Sequence, residues 1–80
     1  MNFQFYSRSG MKKITDTQSL GEAIRGARRR LKVTQKDLAL ASGTGLRFII
    51  DLEKGKATCQ IGKALVLVRT LGLQLQIQDS

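Results

Sequence analysis

The sequence predicts an all-α domain of about four short helices followed by one C-terminal β-strand. Three observations carry this reading. Apolar residues recur at helical spacing in four separate stretches, glycine-containing breaks follow the second, third and fourth of them, and the 80-residue chain contains no proline. The final apolar residues instead alternate strictly with glutamine, which is the period of a strand. A chain of this length forms one domain, and one so small buries only about 60% of the surface its unfolded form exposes, so a second copy is an expected source of stability.

Residues 1–12 read as an N-terminal arm or extension. Phe3, Phe5 and Tyr6 lie in a polar, basic context, a Ser7 to Gly10 break follows, and Met11 offers an alternative start. Residues 13–72 hold the helical domain. Ser19 and Glu22 have capping-box spacing, so the first helix is expected to begin there and run to about Leu31, with Leu20, Ala23, Ile24, Ala27 and Leu31 as its apolar stripe. Thr34 and Asp37 have the same spacing and open a second helix barely two turns long, with Leu38 and Ala41 inward and Ser42-Gly43 as its stop.

After Gly43-Thr44-Gly45, a third helix is expected to turn Phe48, Ile49 and Leu52 inward and to carry Arg47, Asp51 and Lys54 on its opposite face, ending at Gly55. Thr58 is the expected cap of a fourth helix with Ile61, Ala64, Leu65, Val68 and Leu71 as its core stripe and Gly72 as its stop. Val66 and Leu67 fall off that stripe and read as surplus apolar surface for a dimer contact. Residues 73–80 form the strand, with Leu73, Leu75 and Ile77 on one side. A lone strand is unstable, so the same strand of a second copy is its expected partner.

The formal net charge is +8 and the pI about 10.4. Six of the fourteen cations, Arg25, Arg28, Arg29, Arg30, Lys32 and Lys36, fall within twelve residues, while the six acids are spread singly. A patch of this kind points to a polyanionic partner, with nucleic acid ahead of an anionic membrane. The apolar face of the first helix is too alanine-rich for membrane binding, and no apolar run approaches the roughly 20 residues that span a bilayer. No stretch interleaves aromatics with cations as a single-strand stacking platform would. One cysteine, Cys59, gives no disulfide framework and suits a reducing cytoplasm. With no histidine, no base beside the cysteine and no glycine-rich phosphate loop, an enzyme, a metal site and a cofactor are all unexpected.

Two short helices joined by a glycine-containing turn, the second presenting polar residues outward, have the pattern of a helix-turn-helix whose second helix enters the major groove of double-stranded DNA. At Thr34-Gln35, Leu38-Ala39, Gly43, Ile49, Leu52, Glu53 and Gly55 the sequence resembles the lambda-repressor-like, or XRE, family in register, over about residues 19 to 72. Lys13-Ile14 before the helices and the strand after them sharpen the resemblance to the HipB-type antitoxin repressors.

The resemblance implies a lambda-repressor-like bundle acting as a homodimer on an inverted-repeat operator. It also implies C-terminal strands paired between subunits and a HipA-like kinase toxin as partner. Arg47 is then the leading base reader, able to donate two hydrogen bonds to guanine, with Leu46 beside it. Ile50 and Asp51 are further base-reading candidates, toward a thymine methyl and a cytosine amine. Gln35, at the positive end of the second helix, is implied as a phosphate clamp, joined by Thr34, Lys36, Arg29, Lys32 and Lys54. Arg28 and Glu53 match a structural ion pair. The sequence departs from the family where Gly45 replaces a hydroxyl cap and Ile50 a commonly polar residue. Two alternatives stay open: a stand-alone XRE-type regulator, and an interaction module that neutralises a toxin and binds DNA only non-specifically.

Overall fold

The computed structural model describes residues 11–79. It contains four helices: α1 (Thr17–Arg30), α2 (Gln35–Ser42), α3 (Leu46–Glu53) and α4 (Ile61–Thr70). Helix α1 packs against α3, and α2 packs against both α3 and α4. The core they enclose consists of Leu20, Ile24 and Ala27 from α1, Leu38 from α2, Ile49 and Leu52 from α3, and Ala64, Leu67, Val68 and Leu71 from α4 and its end. Ile14, Ala39, Phe48, Cys59 and Leu73 pack around its rim. Most of the expected N-terminal arm, with Phe3, Phe5 and Tyr6, lies outside the described residues.

Helix α1 starts a turn earlier than its sequence suggests. Its cap is Asp16, whose carboxylate accepts from the Ser19 N–H at 2.8 Å, while the Asp16 N–H donates to the Ser19 hydroxyl at 3.1 Å. Ser19 is thus the third residue of the box and not its first, because Asp16/Ser19 and Ser19/Glu22 have the same spacing. Hydrogen bonds from Ser19 hold the Asp16 carboxyl below its ordinary pKa. Helix α2 starts as expected: Thr34 accepts from the Asp37 N–H at 3.0 Å and Asp37 accepts from the Thr34 N–H at 3.1 Å, which lowers the Asp37 pKa in the same way.

Two apolar stripes shift from their expected places. On α4 the buried set is Ala64, Leu67, Val68 and Leu71, whereas Ile61 projects from the first turn and Leu65 lies at the margin. Both stripes obey helical spacing, so periodicity alone does not choose between Leu65 and Leu67. Leu67 is 0% exposed within its own chain, which removes it from the expected dimer surface. Leu31 is exposed because the chain has already turned away at Lys32, and on α2 the exposed Ala41 yields its place to Ala39. Thr58 does not cap α4; Gln60 occupies that position without a side-chain bond.

Helices α1, α3 and α4 end in one motif, with paired backwards hydrogen bonds around a left-handed residue. Gly55 and Gly72 occupy that residue after α3 and α4, whereas after α1 it is Lys32, at φ 60°. A side chain there costs roughly 1–2 kcal/mol that glycine avoids. Helices α1 and α3 approach closely at Gly21, which is buried on α1 and meets the Leu52 carbonyl so tightly that an added Cβ would collide with main chain.

Two stability outcomes follow. Gly21→Ala is expected to destabilise the fold by about 1–3 kcal/mol through overpacking. Lys32→Gly is expected to stabilise it by about 1 kcal/mol. Urea unfolding of the two variants beside the parent checks both signs.

Candidate nucleic-acid interface

The turn between α2 and α3 is set by Gly43 and Gly45, at φ 72° and 93°, on either side of Thr44. Thr44 is the one buried polar residue of the described core, and its hydroxyl meets that of Ser42 at 2.9 Å. Nothing in the sequence pattern marked Thr44, since a threonine between two glycines reads simply as turn. Gly45 precedes α3 without a side-chain cap, which leaves the main-chain donors of the first turn of α3 unspent on a cap.

Arg47 stands in that first turn with its side chain 80% exposed, and Leu46 beside it is exposed as well. Ile50 is half-buried, and the Asp51 side chain is 24% exposed. Asp51 lies between two cations: one carboxylate oxygen is 3.4 Å from Arg47 Nε and the other 3.7 Å from Lys56 Nζ. Sequence reasoning missed Lys56, which follows the Gly55 turn. It also missed Lys63, whose ammonium sits 5.7 Å from the centre of the Phe48 ring and ties the start of α4 to α3.

A second cluster fixes the angle of the two helices. Arg28 donates to both oxygens of Glu53, from Nε at 2.7 Å and from Nη2 at 3.0 Å, and its Nη1 donates to the Val33 carbonyl at 2.9 Å. The Gln35 amide donates to the same Glu53 carboxylate at 3.1 Å. Glu53 is therefore shared by the end of α1, the start of α2 and the end of α3, and its side chain is only 4% exposed. Hydrogen bonding to Glu53 raises the Arg28 pKa above its ordinary value, so the guanidinium keeps its charge.

The Gln35 side-chain nitrogen spends one of its two hydrogens on Glu53, and the Gln35 main-chain N–H, at the first position of α2, has no partner within the helix. Thr34, Arg29, Lys32, Lys36 and Lys54 are all exposed. Among the described residues these four cations make no ion pair. Arg29 and Lys32 come from the end of α1 and the turn after it, Thr34 and Lys36 from the start of α2, and Lys54 from the end of α3. Among the described residues no helix is long and apolar enough to cross a membrane.

A bundle whose second and third helices are joined by a glycine-containing turn, with an exposed arginine projecting from the first turn of the third, defines a helix-turn-helix protein. No family model matches the sequence. It is 44% identical over 66 residues to the uncharacterized HTH-type transcriptional regulator y4mF of Sinorhizobium fredii, across 82% of this chain and 87% of that one. The fold is also that of the protein in the solved HipB-O4 20mer complex, with a TM-score of 0.79 at 21% identity over 88% of this chain and 99% of the other. The HipA-HipB-O2-O3 complex contains a similarly matching chain, with a TM-score of 0.78 over the same shares. The chain belongs to the HTH-type transcriptional regulators, which act by binding and not by catalysis.

Deleting one partner of the Arg28–Glu53 pair strands a desolvated charge. Glu53→Ala is therefore expected to cost about 3–5 kcal/mol, and the paired Arg28→Met/Glu53→Leu change distinctly less. Chemical denaturation of the single and double variants tests this.

Proposed function

We propose that the protein is a sequence-specific repressor that binds an inverted-repeat operator as a homodimer in the cytoplasm. In this reading it is also the antitoxin of a HipA-like kinase toxin and silences their shared operon. The observation that carries DNA reading is Arg47. It projects from the uncapped start of α3, where its terminal nitrogens would donate to guanine O6 and N7, while the exposed Arg29, Lys32, Lys36 and Lys54 would take phosphates. Leu46 and Ile50 supply apolar contact beside it. The Thr34 hydroxyl and the Gln35 N–H add neutral phosphate donors at the start of α2.

Dimerisation rests on Val66 and on the alternating tail. Leu73 is half-buried, Leu75 is exposed and Ile77 is 95% exposed, while residues 73–79 are neither helix nor strand in the single chain. Pairing with the same segment of a second copy would give that backbone its hydrogen bonds and cover those side chains. The domain division that follows is a DNA-binding unit over 13–72 and a dimerisation strand over 73–80. Support for the toxin partner comes from the HipA-HipB-O2-O3 complex, which holds a protein of this fold. A stand-alone regulator is the second reading, favoured by the y4mF relative, described only as a transcriptional regulator.

Titration against the upstream promoter DNA and a scrambled duplex, at several salt concentrations, tests the proposal. Promoter binding is expected to exceed scrambled binding by about 10³-fold or more, with half-sites about 34–36 Å apart. Arg47→Ala should erase that ratio, whereas Lys36→Ala should weaken both duplexes evenly and flatten the salt slope by about one. Removal of residues 73–80 should convert dimer to monomer in sedimentation. Equal, salt-sensitive binding to both duplexes would defeat the repressor reading.

A further inference from the structure

We propose that Asp51 is a positioning residue that sets specificity by presenting Arg47, and that it does not itself read a base. This rests on the reading of Arg47 given above. Arg47 and Asp51 lie one turn apart on α3, and the carboxylate faces Nε of the guanidinium at 3.4 Å. A guanidinium has two donor edges. Engagement at Nε leaves the terminal Nη1/Nη2 pair directed away from Asp51, and that is the pair that matches guanine O6 and N7 end-on.

The other Asp51 oxygen is held as well. Lys56 Nζ lies 3.7 Å from it, and the Lys56 N–H donates to the Asp51 carbonyl at 3.1 Å in the turn closed by Gly55. Lys56 is thereby tied to Asp51 through main chain and side chain together. With a cation near each oxygen, the charge of the carboxylate is already matched within the chain, and a cytosine amine gains less from it than from an unpaired aspartate. Its 24% exposed side chain against the 80% exposed Arg47 has the same sense, since the arginine reaches out and the aspartate supports it from behind.

Two consequences follow from the charge. Without Asp51, Arg47 regains the rotamer freedom of a long side chain and can follow phosphates as readily as bases. The carboxylate also repels the DNA backbone wherever Arg47 finds no guanine, so it penalises incorrect sites more than the correct one. Removing it should therefore tighten non-specific binding while loosening discrimination. A residue with a merely structural role would not produce opposite signs in the two.

The test begins by selecting a preferred duplex with the full-length protein from a random-sequence library. Anisotropy titrations then follow the parent, Asp51→Ala, Asp51→Asn, Arg47→Ala and Arg47→Ala/Asp51→Ala on that duplex, on its single base-pair variants and on a scrambled one. Expected are a roughly tenfold loss of preference in Asp51→Ala at the same base pair that Arg47→Ala affects, and tighter binding of the scrambled duplex. The double variant should discriminate no worse than Arg47→Ala alone, and Asp51→Asn, which keeps an acceptor oxygen, should fall between Asp51→Ala and the parent. Loss at a different base pair, additive with Arg47→Ala, would establish direct reading by Asp51 and overturn the proposal. So would an even loss on every duplex or no change at all. If Arg47→Ala leaves every base preference intact, the reading of Arg47 fails first, and the role of Asp51 falls with it.

Discussion

The Glu53 carboxylate is the constraint on which the geometry of the molecule depends. Three elements meet there: α1 through the two-pronged Arg28 contact, α2 through the Gln35 amide, and α3 through Glu53 itself. Arg28 also closes on the Val33 carbonyl, so the turn that launches α2 is bound to the same centre. Helices of eight residues have little stability of their own and take their orientation from packing and from contacts such as these. A charged, forked donor facing a carboxylate is directional where apolar contact is not, and it fixes the angle at which α2 and α3 face outward.

Apolar packing supplies the complementary part. Ile24, Leu38, Ile49, Leu52 and Leu67 are the largest fully buried side chains, at least one from each helix, so no helix can leave without opening the core. The contact of Gly21 with the Leu52 carbonyl lets α1 and α3 approach more closely than side chains permit. That closeness brings Arg28 within reach of Glu53, and the buried pair in turn depends on the surrounding core for its shielding from water.

Most of this architecture was legible in the sequence, for identifiable reasons. The Thr34/Asp37 box, the Ser42-Gly43 stop and the Gly55 and Gly72 ends are local chemistry, and local chemistry is what a sequence displays. Two of the errors arose where two readings shared one spacing. Asp16/Ser19 and Ser19/Glu22 are equally good boxes, and Leu65 and Leu67 each complete a helical stripe with Ala64 and Val68. Only tertiary packing chooses between such pairs. Within the site, Arg47 stands as exposed as its pattern implied, but the bond from Gln35 to Glu53 and the bracketing of Asp51 by Arg47 and Lys56 depend on residues distant in pattern or placed by a turn.

The ties within α3 are distributed unevenly along its length. Its C-terminal half carries Leu52 in the core, Glu53 in the ion pair and the Gly55 turn, whose carbonyl accepts from the Thr17 hydroxyl at 3.3 Å. Its N-terminal half begins at an uncapped glycine and presents Leu46 and Arg47 outward. Phe48 and Ile49 still hold that half to the core, so the helix keeps its first-turn main-chain donors and the Arg47 side chain available without loosening the bundle. Lys32 holds a left-handed position that glycine would take more easily, and glycine at that point would remove a cation from the rim. Local rules are broken where the chain faces outward and kept where it faces the core, as expected when a surface is shaped for a partner.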